Sequence, residues 1–395
     1  MWKKLKQKMF GGAKADEAVE PPPPQQEVAF EPPRPDLSKQ EPAWIEAADN
    51  PFGVRVLDVR PVTLGTLSYT SDQKMAENAV SYGGEDGRSF AADRPASSRV
   101  VGASLRFRAP DGVHDGALFI PREMEDKWAM FVQDATLILV RGWRREVFVR
   151  ARITRDGDDV LIGPLEGCIT SEEEGDEYTR RAVDFIVRTY GLSLPCAAPL
   201  LPGADRTGRE LALECMSVFG CHAHYASWDE PAREVPTRPL RVMTRLHVAV
   251  IRGDVEGARR ALAEGFPAGL RDPFGRGAVH YVGASRAMLE CLREAGADVD
   301  DGGDDGTTAL MFAAQGRRLE MVEALLAIGA KADAVDRRGF SALHRAAEMG
   351  EVGIARALLA RGADPDRAAE GGNTPRSLAA KRGESAVLGL FPPAG

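Results

Sequence analysis

The sequence predicts an α+β domain, built on a mostly antiparallel sheet with two helices, followed by an all-α stack of repeated helix pairs. Three observations carry that fold class. Between Gly53 and Ile169, apolar and polar residues alternate in short runs separated by turn residues. Two helical stripes follow, at 176–190 and 208–219. From Thr244 onward, several markers recur with a shared period of 31–33 residues.

Length and composition set the bounds. A chain of 395 residues suits two or three domains. A net charge of −8, from 59 acidic and 51 basic residues, excludes a generally basic nucleic-acid binder, although a local basic patch stays open. There is no run of 18 apolar residues that would span a bilayer. The five cysteines lie between Cys168 and Cys291 without a CxxC pair, which argues against a disulfide scaffold and for a reducing, cytoplasmic setting.

Residues 1–42 read as a basic, proline-rich disordered tail. Lys3, Lys4, Lys6, Lys8 and Lys14 alternate with Trp2, Leu5, Met9 and Phe10, and Gly11-Gly12 cuts off any secretory apolar run. One reading is a solvated start. The other is a surface-seeking segment, residues 1–14, drawn to anionic lipid. Seven prolines between Pro21 and Pro35 favour extended polyproline II and leave too little apolar area to offset ordering entropy. They suit a semi-rigid spacer, with Pro32-Pro33-Arg34-Pro35 as a possible SH3-type ligand.

Residues 43–230 read as the α+β domain, of unassigned role. Strand patterns fall at 53–59, 98–107, 117–120, 128–132, 135–140, 146–153 and 160–169. Their connections are too short for helical crossovers, so the pairing is expected to be mostly antiparallel. The helix at 176–190 turns Ala182, Phe185, Ile186 and Tyr190 inward, and that at 208–219 turns Leu211, Leu213, Cys215, Met216 and Phe219 inward. Pro231, Pro236 and Pro239 mark a linker at 231–243.

The repeats occupy 244–391, four units and a partial C-terminal cap. Leu246-His247, Val279-His280, Leu310-Met311 and Leu343-His344 recur at spacings of 33, 31 and 33. Gly265, Gly296, Gly329 and Gly362 keep the same step, as do Gly275, Gly306, Gly339 and Gly372. In the fourth unit Leu343, Ala346 and Ala347 stripe a short helix that ends near Gly350. Ile354, Ala355, Leu358 and Leu359 then stripe a second, antiparallel one. One such unit cannot bury its faces alone, so neighbours must stack.

These words resemble the ankyrin repeat: Leu343-His344 with Ala346-Ala347, Gly362-Ala363-Asp364, and Asp336 followed by Gly339. The resemblance implies an ankyrin-type solenoid with projecting fingers, a concave face that binds another protein, and no catalysis or cofactor. It also implies that His247, His280 and His344 are structural, tying neighbouring fingers together. Two departures stand out. The second unit is two residues short between His280 and Gly296, which predicts a clipped first helix, and Arg293 replaces the leucine found at Leu359. The fifth unit turns polar at Lys381, Arg382 and Glu384, as a terminal cap should. The first unit lacks an upstream cap, so Val242 and Met243 or the preceding domain must cover it.

The candidate partner-binding residues are charged and lie on the fingers. Asp298, Asp300, Asp301, Asp304 and Asp305 crowd nine positions, either as a docking site for a basic patch or as a solvated acidic turn. Alternate oxygen ligands ending in a distal Glu are missing, which argues against a calcium loop. Arg337 and Arg338 give a neighbouring patch of opposite sign.

Elsewhere no phosphate loop, GxSxG or HExxH occurs. Cys215, Cys221, His222 and His224 crowd one helix end, but their spacing matches no structural metal site, so helix-end packing is the expectation. Met124-Glu125-Asp126-Lys127-Trp128, with Trp143 downstream, resembles a motif of small bacterial modules without an activity to transfer. The leading function is therefore that of a protein-interaction scaffold. The alternatives are an enzyme with its centre in 44–228, using residues such as Asp58, Glu125, Asp126 or Arg141, and an immunity or inhibitor protein.

Overall fold

A computed structural model describes residues 40–64, 72–203, 206–231 and 234–393. The lysine-rich start and the proline run lie outside them. Among the described residues no helix is long and apolar enough to cross a membrane.

The first half contains two sheets. In chain order its elements are β1 (Ala43–Ile45), β2 (Val56–Asp58), α1 (Arg60–Thr63), α2 (Gln73–Val80), β3 (Val100–Val101), β4 (Leu105–Arg108), β5 (Gly116–Phe119), β6 (Trp128–Gln133), β7 (Thr136–Arg141), β8 (Glu146–Asp156), β9 (Asp159–Gly167), α3 (Asp176–Ile186), β10 (Ala197–Pro199), α4 (Gly208–Phe219) and β11 (Tyr225–Ser227). The larger sheet runs β3-β9-β8-β7-β6-β5, with β4 also on β9, and every pair is antiparallel.

Strand alternation divides this sheet between two cores. On β6 and β7, Trp128, Met130, Val132, Leu137 and Leu139 face the core that also contains residues of α3 and α4. Ala129, Phe131, Ile138 and Val140 face a second core closed by Tyr82 and Phe90. Burial on both faces explains why Trp128–Val132 is an unbroken apolar run.

The smaller sheet, β1-β2-β11-β10, was not expected. Its β2 falls within the pattern read at 53–59, whereas β1, β10 and β11, three residues each, are too short to show a period. Its β10–β11 pair is parallel, and α4 makes the crossover between these two strands, which lie outside the seven patterns read from the sequence. The bounds of α4 match the sequence reading, and a capping box between Thr207 and Glu210 explains where it starts, but Leu213, expected inward, faces outward and is 46% exposed. The other expected helix ends earlier, at Ile186, and continues as a π turn from Val187 to Gly191.

The second half is helical: α5 (Arg245–Ile251), α6 (Val255–Ala263), α7 (Arg286–Glu294), α8 (Ala309–Gln315), α9 (Leu319–Ala327), α10 (Ala342–Glu348), α11 (Val352–Leu359), α12 (Pro375–Arg382) and α13 (Ser385–Leu388). Between α6 and α7, where two residues are missing from the period, the first helix is reduced to a 3-10 turn, Ala278–Tyr281. Short helices α8, α10 and α12 pack side by side, and so do α9 and α11. One continuous core runs from Leu246 to Phe391 through Leu310 and Leu343.

The two halves join through the sheet. Met243 and Ala117 exchange backbone hydrogen bonds of 2.7 and 3.0 Å, and Leu240 N donates to Arg108 O at 2.7 Å. Leu240 and Val242, placed in the expected linker, are buried in the sheet core. Gly116 lies so close that a Cβ there would stand 2.5 Å from Met243 O, at a φ of +151°. Arg252 donates to Gly83 O at 2.7 Å, and Arg245 reaches Asp86 at 3.7 Å. Because these contacts cover the open end of the first helix pair, a chain beginning at Thr244 should be less soluble and melt lower than residues 40–393. Equal solubility and equal melting by circular dichroism would show that the sheet covers nothing of consequence.

Candidate partner-binding surface

The fingers are built by one device. Asp272 Oδ1 accepts from Phe274 N and Arg276 N at 2.9 Å each, folding the turn back so that Arg271 bridges Gly277. Asp336 repeats it, accepting from Arg338 N at 2.9 Å and Phe340 N at 2.8 Å, with Val335 bridging Ser341. Successive fingers are then joined by backbone hydrogen bonds: Asp304 N to Gly275 O at 3.0 Å, Arg337 N to Asp305 O at 3.1 Å, and Glu370 N to Arg338 O at 2.8 Å.

Leu246, Leu310 and Leu343 are buried in the shared core. Gly296, Gly329 and Gly362 follow the second helices in left-handed conformations. His280 bonds Gly277 O through Nδ1 and Thr307 O, on the next finger, through Nε2, both at 3.0 Å. His344 accepts from Ser341 N at 3.0 Å and reaches Asn373 O at 3.3 Å. His247 Nδ1 pairs with Thr244 Oγ1 at 2.9 Å.

The acidic finger is largely engaged by its own chain. Asp304 takes hydrogen bonds from Arg241 at 2.5 Å and Arg271 at 2.8 Å, and Asp301 takes one from Arg271 at 2.7 Å. Partial burial favours the neutral Asp304 carboxyl, but the two guanidinium bonds outweigh it and hold its pKa below the usual range. Asp300 accepts from Lys331 N at 2.8 Å, and Asp305 from Thr307 N at 2.8 Å. Asp305, Arg337 and Arg338 remain exposed at the finger tips. Arg338 pairs with Glu370 at 2.6 Å across side chains 68% and 62% exposed.

Apolar groups stand beside these charges, and the sequence reading did not single them out. Phe274 and Val335 are 38% and 39% exposed on two fingers. Arg276 stacks 4.3 Å above Phe312, and Arg345 stacks 5.1 Å above Phe340 while bonding Asp336 Oδ2 at 3.1 Å. The turn position shared by Phe274 and Arg338, two residues after the finger aspartate, is the signal that would have pointed there.

In the sheet half, Asp58 pairs with Arg60 at 2.6 Å. Arg141 donates to Val218 O and Ser217 O at the end of α4, and burial lowers its pKa to about 10. Two surface hollows, of about 190 and 580 Å³, are lined by other residues than Asp58, Glu125, Asp126 and Arg141. Cys215 is buried in the core, whereas Cys221 and His222 meet Asp126. Burial first, then Asp126, Glu123 and Glu125, push the Cys221 thiol up to about 12. Burial lowers Lys127 to about 8, and its ammonium lies 4.2 Å above the Trp143 ring.

Residues 246–336 and 284–369 match the family model of ankyrin repeats (three copies), and no family model matches the N-terminal region. No curated protein matches the chain.

Burial holds His247 and His344 below the ordinary histidine value. The unfolded chain therefore binds more protons than the folded one as pH falls through about 6.5, and stability is lost in that direction. The melting temperature should drop on acidification from neutral pH. A His247→Gln/His344→Gln variant should show a flatter profile, and an unchanged slope would contradict this.

Proposed function

We propose that residues 244–391, carrying the ankyrin repeats, form a curved solenoid that binds a partner protein through its fingers and the concave face of its first helices. Ankyrin repeats are generally protein-interaction modules. In this reading residues 43–230 are an α+β module that caps the first repeat, residues 1–42 are a tail, and the protein works in the cytoplasm, where its free thiols stay reduced.

The observation that carries the proposal is the pairing of exposed apolar and charged groups on successive fingers: Phe274, then Asp305, then Val335 with Arg337 and Arg338. Such a surface offers burial and orientation together, with aromatic and arginine anchors. Asp300, Asp301 and Asp304 act instead as braces, since Lys331, Arg271 and Arg241 engage them. Displacing the exposed Arg338–Glu370 pair costs a partner no more than about 1 kcal/mol.

Affinity capture with the whole chain tests this. A protein retained by the natural chain should be lost with Phe274→Ser/Arg337→Glu and kept by Asp300→Asn. Capture unaffected by the first variant would overturn the proposal.

A further inference from the structure

The sheet half contains a donor cluster that the protein-binding reading does not use. Asp126 lies in the turn before β6, and Cys221 and His222 lie on the 3-10 turn Gly220–His222 after α4. The fold brings these turns together so that a carboxylate oxygen, the thiol sulfur and an imidazole nitrogen all lie within 4.8 Å of one another. Asp126 Oδ1 stands 2.9 Å from His222 Nε2. Glu123 Oε1, 4.0 Å from the sulfur, is a further donor within reach.

We propose that Asp126, Cys221 and His222 hold a divalent cation of the zinc type. Thiolate and imidazole are ligands of zinc-like ions, whereas calcium and magnesium prefer oxygen alone. Tetrahedral bonds of about 2.0–2.3 Å place ligand atoms roughly 3.3–3.8 Å apart, so the three donors need to shift by about 1 Å or less. Three protein ligands leave a fourth position for Glu123 or a water.

The frame around the cluster is rigid, as a ligand set requires. Asp126 Oδ2 accepts from Arg122 N at 2.8 Å, which aims Oδ1 at the imidazole. The His222 ring lies against Tyr190, with centroids 3.9 Å apart, and edge-on to Phe119. Tyr190 Oη donates to Phe219 O at 2.7 Å and Trp128 Nε1 to Val218 O at 2.8 Å, fixing the end of α4. Gly220 adopts a φ of +62°, and a Cβ there would stand 1.9 Å from Glu125 O, so the two turns touch through backbone. A cysteine hydrolase dyad fits less well, because the imidazole Nε2 is directed at Asp126 and the thiol at Glu123.

The test uses the whole chain, stripped with a chelator and dialysed against zinc alone, then against cobalt. About one equivalent should bind and raise the melting temperature, and cobalt should give a sulfur-to-metal charge-transfer band. Cys221→Ser and His222→Gln should each weaken binding by more than the roughly 10–100-fold that loss of an outer-shell partner costs. Cys168→Ser, which removes a thiol outside the cluster, should change nothing. Absence of stoichiometric binding, a complex without the sulfur band, or wild-type affinity in folded Cys221→Ser would overturn the proposal.

Discussion

A helix of seven residues next to one of nine has more apolar surface than the pair can hide from water. Leu310, Ala313 and Ala314 on α8, and Leu343, Ala346 and Ala347 on α10, are buried only because a neighbouring pair stands against them. The repeat half depends on that constraint. It requires a common period, places alanine where helices approach closely, and turns each end of the row into a problem. At one end the problem is met by Met243 and Ala117 joining the first pair to a sheet. At the other it is met by Lys381 and Arg382 facing water.

The fingers follow from the same geometry. Once helix pairs stack, their connecting turns are brought alongside, and backbone groups that water would otherwise satisfy can bond from finger to finger. His280 and His344 add side-chain links across the same gaps. A row of turns fixed in this way presents Phe274, Val335 and Arg337 from one support, and under the proposed function this lowers the entropy lost when a partner is held.

Much of the second half was legible because its markers are local. Leucine, histidine and glycine recur at one step, and a deletion of two residues in that step turns a helix into the 3-10 turn at Ala278–Tyr281. The strands of the large sheet were legible from short runs bounded by turn residues, but the burial of Trp128–Val132 on both faces was not. Of the small sheet only β2 was legible, within the pattern at 53–59, since the other three-residue strands show no period. Charge was the least legible property. Asp301 and Asp304 read as a free acidic patch, yet the arginines that engage them lie 30 to 63 residues earlier. Likewise, Asp126 stands 2.9 Å from His222 but 96 residues before it, so local spacing could not bring them together.

The two halves thus divide the work. The sheet half closes the open end of the stack and gathers Asp126, Cys221 and His222 at one turn, while the stack displays the finger tips. All of this requires that apolar side chains be buried between units rather than within them. Equilibrium urea unfolding of Leu343→Ala tests that directly. The account predicts a loss of about 2–5 kcal/mol relative to the natural chain. A loss below about 0.5 kcal/mol, as for an exposed surface residue, would contradict it.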